Sequence, residues 1–333
     1  MKDFRLSFAV LLLCLPLAAI WGGVSGFFVA LVLAILEVSL SFDNAVVNAA
    51  VLQEMDPKWQ RLFLTVGILI AVFGMRLVFP IAIVAAVTGM GWGEVTLLAL
   101  KNPEEYSRHL LESHVQVAMF GGVFLLMVFL NFVVDSNKKL HWLPPLERRM
   151  SWLGRMDGAS VLVALTAVAI IARSLVPEAE QGKALLAGMV GVILFLAVDG
   201  VDALFSGGGE TGKLAVRSGL AGFLYLEVLD ATFSFDGVIG AFAITDDIVI
   251  IMLGLAIGAM FVRSLTVYLV HKGTLRHFIF LEHGAHYAIG VLAVLMLAST
   301  GYHIPEVVTG CLGVAFIGLS VWSSVRYTRA HAG

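Results

Sequence analysis

Cysteine is nearly absent. Cys14 and Cys311 are the only two in 333 residues, and both sit in apolar runs, which excludes a disulfide framework and a thiolate metal site. Charge is scarce too: Asp, Glu, Lys and Arg make up 14% of the chain, against about 25% in ordinary soluble domains. That is too little to clothe a soluble surface. The net charge of −3 and the lack of a basic, aromatic-interleaved patch leave no footprint for nucleic acid. No Ser–His elbow is found, and the chain is not expected to be an enzyme.

Apolar length is what the chain has in abundance. Hydrophobic residues make up 59% and the mean hydropathy is +0.95. Runs of about 20 apolar residues, each enough for a spanning helix, recur throughout. Ten spans are expected, near 5–22, 26–52, 60–88, 113–135, 159–175, 184–205, 217–243, 247–271, 284–300 and 305–325. The fold class is an all-α polytopic membrane protein. With both termini in the cytoplasm, most of the 21 Lys and Arg lie inside, and Lys101, Arg108, Arg173 and Lys183 lie outside, as the positive-inside rule requires. Lys2 and Arg5 before a short apolar core also suit a signal peptide. Nothing soluble follows, so an uncleaved first helix is expected.

Within this background an acidic motif occurs twice. Residues 37–44 read Glu-Val-Ser-Leu-Ser-Phe-Asp-Asn, and residues 230–237 read Asp-Ala-Thr-Phe-Ser-Phe-Asp-Gly. A carboxylate at mid-bilayer costs about 3 kcal/mol on insertion scales, which makes each one a functional candidate. The likeness extends further: Gly67 to Arg76 aligns with Gly254 to Arg263, and His114 and Gly121 align with His283 and Gly290. Three spans match three others five spans later, and the odd offset reverses their direction. This is the signature of two inverted-topology halves, with 26–135 repeated at 217–300 and a substrate site near the midplane. The expected organisation is a first membrane half at 1–135, a basic cytoplasmic linker at 136–158 and a second half at 159–333. The linker allows a short amphipathic helix from Leu146 to Leu153, but a solvated segment that fixes topology is preferred. The outside segment 89–112, with Glu94, Glu104, Glu105 and Glu112, suits either a loop that attracts cations or an ordinary polar loop.

Helical geometry groups the polar side chains. Glu37, Ser41, Asn44 and Asn48 fall within about 60° of arc, while Asp43 lies about 100° away. Glu227, Asp230 and Ser234 share a face, and Asp236 is displaced in the same way. Either each helix shows two polar faces to protein, or the backbone opens near Phe42 and Phe235, as transporter helices do. Opening is the favoured alternative. Glu37, Asp43, Asn44, Glu227, Asp230 and Asp236 make an oxygen-rich set suited to hard divalent cations. Mn²⁺ is favoured, with Ca²⁺ or Mg²⁺ as alternatives and no permanent cofactor. Ser41, Asn48 and Ser234 add polar support. Arg76 and Arg263 balance charge, a role assigned across the interface between the two repeats; protons or the cation balance the rest, which couples cation arrival to proton release. Asp199 and Asp202 are candidates for an exit path or a helix cap, and His114 and His283 for proton relay.

Glu37 through Asn44, Glu227-Val228-Leu229-Asp230 through Phe233-Ser234-Phe235-Asp236, and the two glycine-to-arginine helices resemble the TerC family of bacterial integral membrane proteins, within the LysE-like transporters. The resemblance covers roughly 26–135 and 217–300, and the extra spans and Gly237 mark a divergent branch. It implies the bacterial inner membrane, an association with tellurite resistance, and export of manganese or other divalent metals. The expected partners are the lipid bilayer and the metal ion; no protein partner is indicated. Efflux of a cationic organic solute such as an amino acid is the alternative transport reading. A membrane enzyme using Asp43 and Asp236, in the manner of paired aspartates, and a stress-response scaffold are the alternatives from other classes.

Overall fold

A computed structural model describes residues 4–135, 138, 140–150, 156, 158–205, 219–242, 244–272 and 278–331, without the side chains of Asp43, Glu54, Ile68, Leu146, Arg148, 201–205, Asp236, Lys272, Glu306, Val307 and His331. Among the described residues every regular element is helical: α1 (Arg5–Leu40), α2 (Phe42–Glu54), α3 (Pro57–Leu69), α4 (Phe79–Thr88), α5 (Trp92–Lys101), α6 (Pro103–Glu112), α7 (His114–Val134), α8 (Pro144–Met150), α9 (Ala159–Ser174), α10 (Gln181–Phe205), α11 (Leu220–Phe242), α12 (Ile248–Lys272), α13 (Leu281–Ala298) and α14 (Glu306–His331). A π-helical stretch, Ile70–Val78, joins α3 to α4. Among the described residues seven helices are long and apolar enough to cross a membrane. The chain is an integral membrane protein. Of the other expected spans, α9 is a shorter apolar helix, and α11 carries Glu227, Asp230 and Asp236.

Two expected spans meet inside α1. Gly23 breaks its helical geometry at φ 65°, ψ −156°, a region essentially reserved for glycine. The two limbs then fold back on each other. Ser7, in the first limb, donates its hydroxyl to the Met260 carbonyl at 2.7 Å, while Ile250 packs against Gly22 and Gly26 at the turn. In the returning limb, Ala30 and Leu33 meet Gly254, and Ala34 and Glu37 meet Gly258. Both limbs therefore lie against α12, and small residues let the backbones approach, as helix packing in lipid favours. Gly23→Ala should cost about 1–3 kcal/mol, read as a lower thermal midpoint in detergent.

The expected span 26–52 is not one continuous helix. It is interrupted at Ser41 (φ −97°, ψ 16°), and α2 starts at the next residue. The segment 89–112 is not an ordinary loop but α5 and α6. Glu94 caps the first through the Gly91 N–H at 3.0 Å, Pro103 opens the second, and Val95, Tyr106 and Leu110 are buried.

Contacts group the chain into two units. The first comprises Met1–Ala49, Gln60–His114 and Leu226–Lys272, and the second Ala50–Trp59, Val115–Tyr225 and Gly273–Gly333. In the second unit α9 packs on α10 and α13 on α14. There Gly188 makes room for Val168, Gly122 for Leu297 and Gly290 for Phe129. Leu162, Ile170, Leu186 and Ile193 stay exposed on α9 and α10, which is the composition of a lipid-facing surface.

Candidate functional site

The first unit brings both acidic motifs together. A cleft holding about 400 Å³ of open space is lined by Glu37 and Ser41 at the end of α1, Asn44 and Asn48 on α2, Ala71 and Arg76 on the π-helical stretch, Asp230 and Ser234 on α11, and Ala259, Val262, Arg263 and Thr266 on α12. The polar face expected for residues 37–48 thus survives the interruption at Ser41. Asn44 and Asn48 turn with α2 to the side where Glu37 ends. In the second copy the helix runs on without a break through α11. Opening occurs in one motif and not in its partner.

The two acids at the cleft are each held. Glu37 is 3% exposed; its Oε1 accepts from Arg76 Nη2 and, at 3.1 Å, from the Ser41 hydroxyl. Arg76 also donates Nη1 to the Ala71 carbonyl, five residues back along the π-helical stretch. π-Helical turns are rare and concentrate at functional sites; here one carries the arginine of the buried ion pair. Among the described residues the acid that Arg76 neutralises is Glu37, of its own copy. On the opposite motif, Asn48 Nδ2 donates to Asp230 Oδ1 at 2.8 Å, a bond that ties α2 to α11.

Several buried polar atoms have no hydrogen-bond partner among the described residues. In the first unit they include Asn48 Oδ1, Ser234 Oγ, both Glu227 oxygens, Arg76 Nε, and Arg263 Nε and Nη2. Arg263 lies with its guanidinium carbon 3.8 Å over the Phe63 ring. Gly67 is what admits both charges: a Cβ there would stand 2.7 Å from Arg263 Nη2 and 2.8 Å from Glu227 Oε1. Orphaned polar groups in native interiors call for an ion, a ligand or water.

The remaining sequence candidates divide. The Asp43 and Asp236 side chains, like that of Asp202, lie outside those described. Asp199 is half-buried in the second unit, and His114 heads α7; neither lines the cleft. His283 is buried in a separate cluster of the second unit with His141 and Glu147. Among the described residues no group of three or more His, Cys, Asp or Glu is placed to hold a metal ion. Sequence reasoning missed Thr266, a lone threonine three residues past Arg263. It also missed Glu147, whose only signal was its place just after Pro144-Pro145.

Fold and site together define a helical membrane protein with a buried, charge-paired polar cleft. The chain belongs to the family described as proteins of unknown function, DUF475, whose profile matches residues 42–331. No curated protein and no solved structure matches it significantly.

Proposed function

We propose that this chain is a transporter, not an enzyme, which exports divalent cations from the bacterial cytoplasm through the inner membrane, with Mn²⁺ as the favoured cargo. The observation that carries the proposal is the cleft itself. It is oxygen-rich and set among apolar helices, and it gathers residues of both copies of one acidic motif, with Asn48, one turn past the first copy, bonded to Asp230 of the second. Glu37, Asp230, Asn44, Asn48 Oδ1 and the Ser234 hydroxyl supply hard oxygen donors of the kind Mn²⁺ accepts. Asp43, Asp236 and Glu227 complete the acidic set in sequence. The TerC resemblance supports this reading, as do the inverted halves expected from the sequence, and proton exchange supplies the coupling.

Asp230→Asn keeps the volume and one oxygen while removing the charge. At normal protein level it should lower Mn²⁺ export at least tenfold, an effect of about 1.4 kcal/mol or more. The readouts are cellular Mn²⁺ content and uptake into inverted vesicles carrying a pH-sensitive dye. Wild-type Mn²⁺ handling in this variant would sink the site assignment.

A second reading has one specific support. The Nε–Nη2 edge of Arg263 is unpartnered among the described residues, and that edge is the fork that grips a carboxylate. Efflux of a cationic amino acid would use it together with the acids. Lysine competing with Mn²⁺ in the vesicle assay distinguishes this reading from the first.

A further inference from the structure

The second unit holds a buried charged cluster outside the cleft. Glu147 on α8 is 1% exposed, so the linker is docked, not solvated, at this point. Its Oε1 accepts the backbone N–H groups of Trp142 at 3.2 Å and Leu143 at 3.0 Å, and the Tyr287 hydroxyl at 3.2 Å. Its Oε2 lies 3.0 Å from His141 Nδ1. His283 Nε2 meets the Leu140 carbonyl at 3.0 Å, where its N–H donates. Trp142 stands edge-on to the Tyr287 ring at 5.6 Å. Residues 140–150 are therefore fastened to α13 at His283 and Tyr287, one helical turn apart.

Lys138 sits beside this fastening. Its Nζ lies 3.0 Å from the Phe132 ring centroid and has no hydrogen-bond partner among the described residues. Phe132 stacks on His286 at 3.8 Å and 7°, so its other face belongs to the ammonium. The charged groups around Lys138 are Asp135 after α7, Glu147 on α8, and Glu282, His283 and His286 on α13, with His141 across Glu147. Burial pushes the Lys138 ammonium down to about 8, against the pull of Glu147, Glu282 and Asp135. Burial works against the Glu147 carboxylate too, but the Leu143 N–H, His141, His283 and Lys138 outweigh it and hold the group below its usual range.

We propose that Lys138 and residues 140–150 form a strap over the head of α13 that fastens more tightly as the solution turns alkaline, with Lys138 as the responding group. The sign follows from proton linkage. Undocked, the ammonium keeps its ordinary value of 10.5; docked, it loses its proton near 8. Below about 8 both states carry the proton, and docking bears the full cost of burying the charge. Between the two values the docked state sheds it first, so docking strengthens as pH rises. Glu147 acts in the same direction, since its grip is lost only in acid, below the usual carboxylate range. The strap does not depend on what the cleft transports.

Trypsin cleavage after Arg149 in the purified full chain reads strap opening, normalised to a disordered arginine-containing tag on the same chain. Between about pH 7.5 and about pH 9.5 the wild-type rate should fall roughly tenfold. Lys138→Met should be slow and flat across that range. Lys138→Arg, whose guanidinium stays charged, should be cleaved readily at both ends of it. Glu147→Gln should be cleaved faster than wild type throughout. Equal pH slopes in wild type and Lys138→Arg overturn the proposal, as does a Glu147→Gln strap as protected as the wild type.

Discussion

Arg76→Leu should destabilise the protein by about 3–5 kcal/mol, because it leaves a buried carboxylate without its counter-charge. Glu37 is 3% exposed, and among the described residues its remaining side-chain partner is the Ser41 hydroxyl at 3.1 Å. Glu37→Leu should cost a similar amount for the mirror reason, since Arg76 is itself 7% exposed. The double variant, Arg76→Leu with Glu37→Leu, replaces a buried ion pair by two apolar side chains of comparable volume. Such replacements are often neutral. Its stability should return to within about 1 kcal/mol of wild type, so the coupling in the mutant cycle should approach the sum of the two single losses. Reversible unfolding in mixed micelles measures all four corners. Additive single effects would show that the pair is not coupled.

The same cycle separates stability from function. If Glu37 serves the cation, the double variant folds well and still fails to export Mn²⁺. If the pair only holds α1 to the π-helical stretch, restoring stability restores transport as well.

What the sequence made legible follows from which physics is local. Membrane-length apolar runs are local, and among the described residues seven helices are long and apolar enough to cross a membrane. The polar arc Glu37–Ser41–Asn44–Asn48 is local too, and all four residues line the cleft. Pairing is not local. The Gly67 and Gly254 helices align in sequence, yet Gly67 makes room for Arg263 and Glu227 whereas Gly254 makes room for Ala30 and Leu33. The shared Ser-Phe-Asp triplet also resolves differently: the helix is interrupted at Ser41, but α11 runs on past Ser234. The neighbour after each Phe-Asp differs, Asn44 in one copy and Gly237 in the other, and Gly237 leaves the space that Glu37 Oε2 approaches. Docking of Glu147 was invisible for a related reason. Its burial depends on Tyr287 and His283, some 140 residues away, and a charged linker reads as solvated until those partners are placed.

Gly258→Leu should be among the most damaging single changes in the first unit, costing about 3 kcal/mol through overpacking and abolishing export. A Cβ at Gly258 would fall inside contact distance of both Glu37 Cβ and Cγ, and 3.0 Å from the Ala34 carbonyl. Neither α1 nor α12 can yield cheaply, since the neighbouring atoms are backbone or the root of a side chain. The carboxylate of Glu37 would be swung away from Arg76, so the steric insult also breaks the ion pair. Gly254→Ala, one turn earlier on α12, tests whether position matters beyond packing. Its Cβ would press on Leu33 Cβ at 2.8 Å and the Ala30 carbonyl at 2.9 Å, with no polar group of the cleft nearby. It should lower the thermal midpoint while leaving Mn²⁺ affinity unchanged in the folded fraction. Gly318→Ala on α14, where nothing lies within 4 Å, should be neutral or stabilising by up to about 1 kcal/mol. If Gly254→Ala weakened Mn²⁺ binding as much as Gly258→Leu, the helix contact as a whole would set the site. If it did not, the space beside Glu37 is a requirement of the proposed cation site.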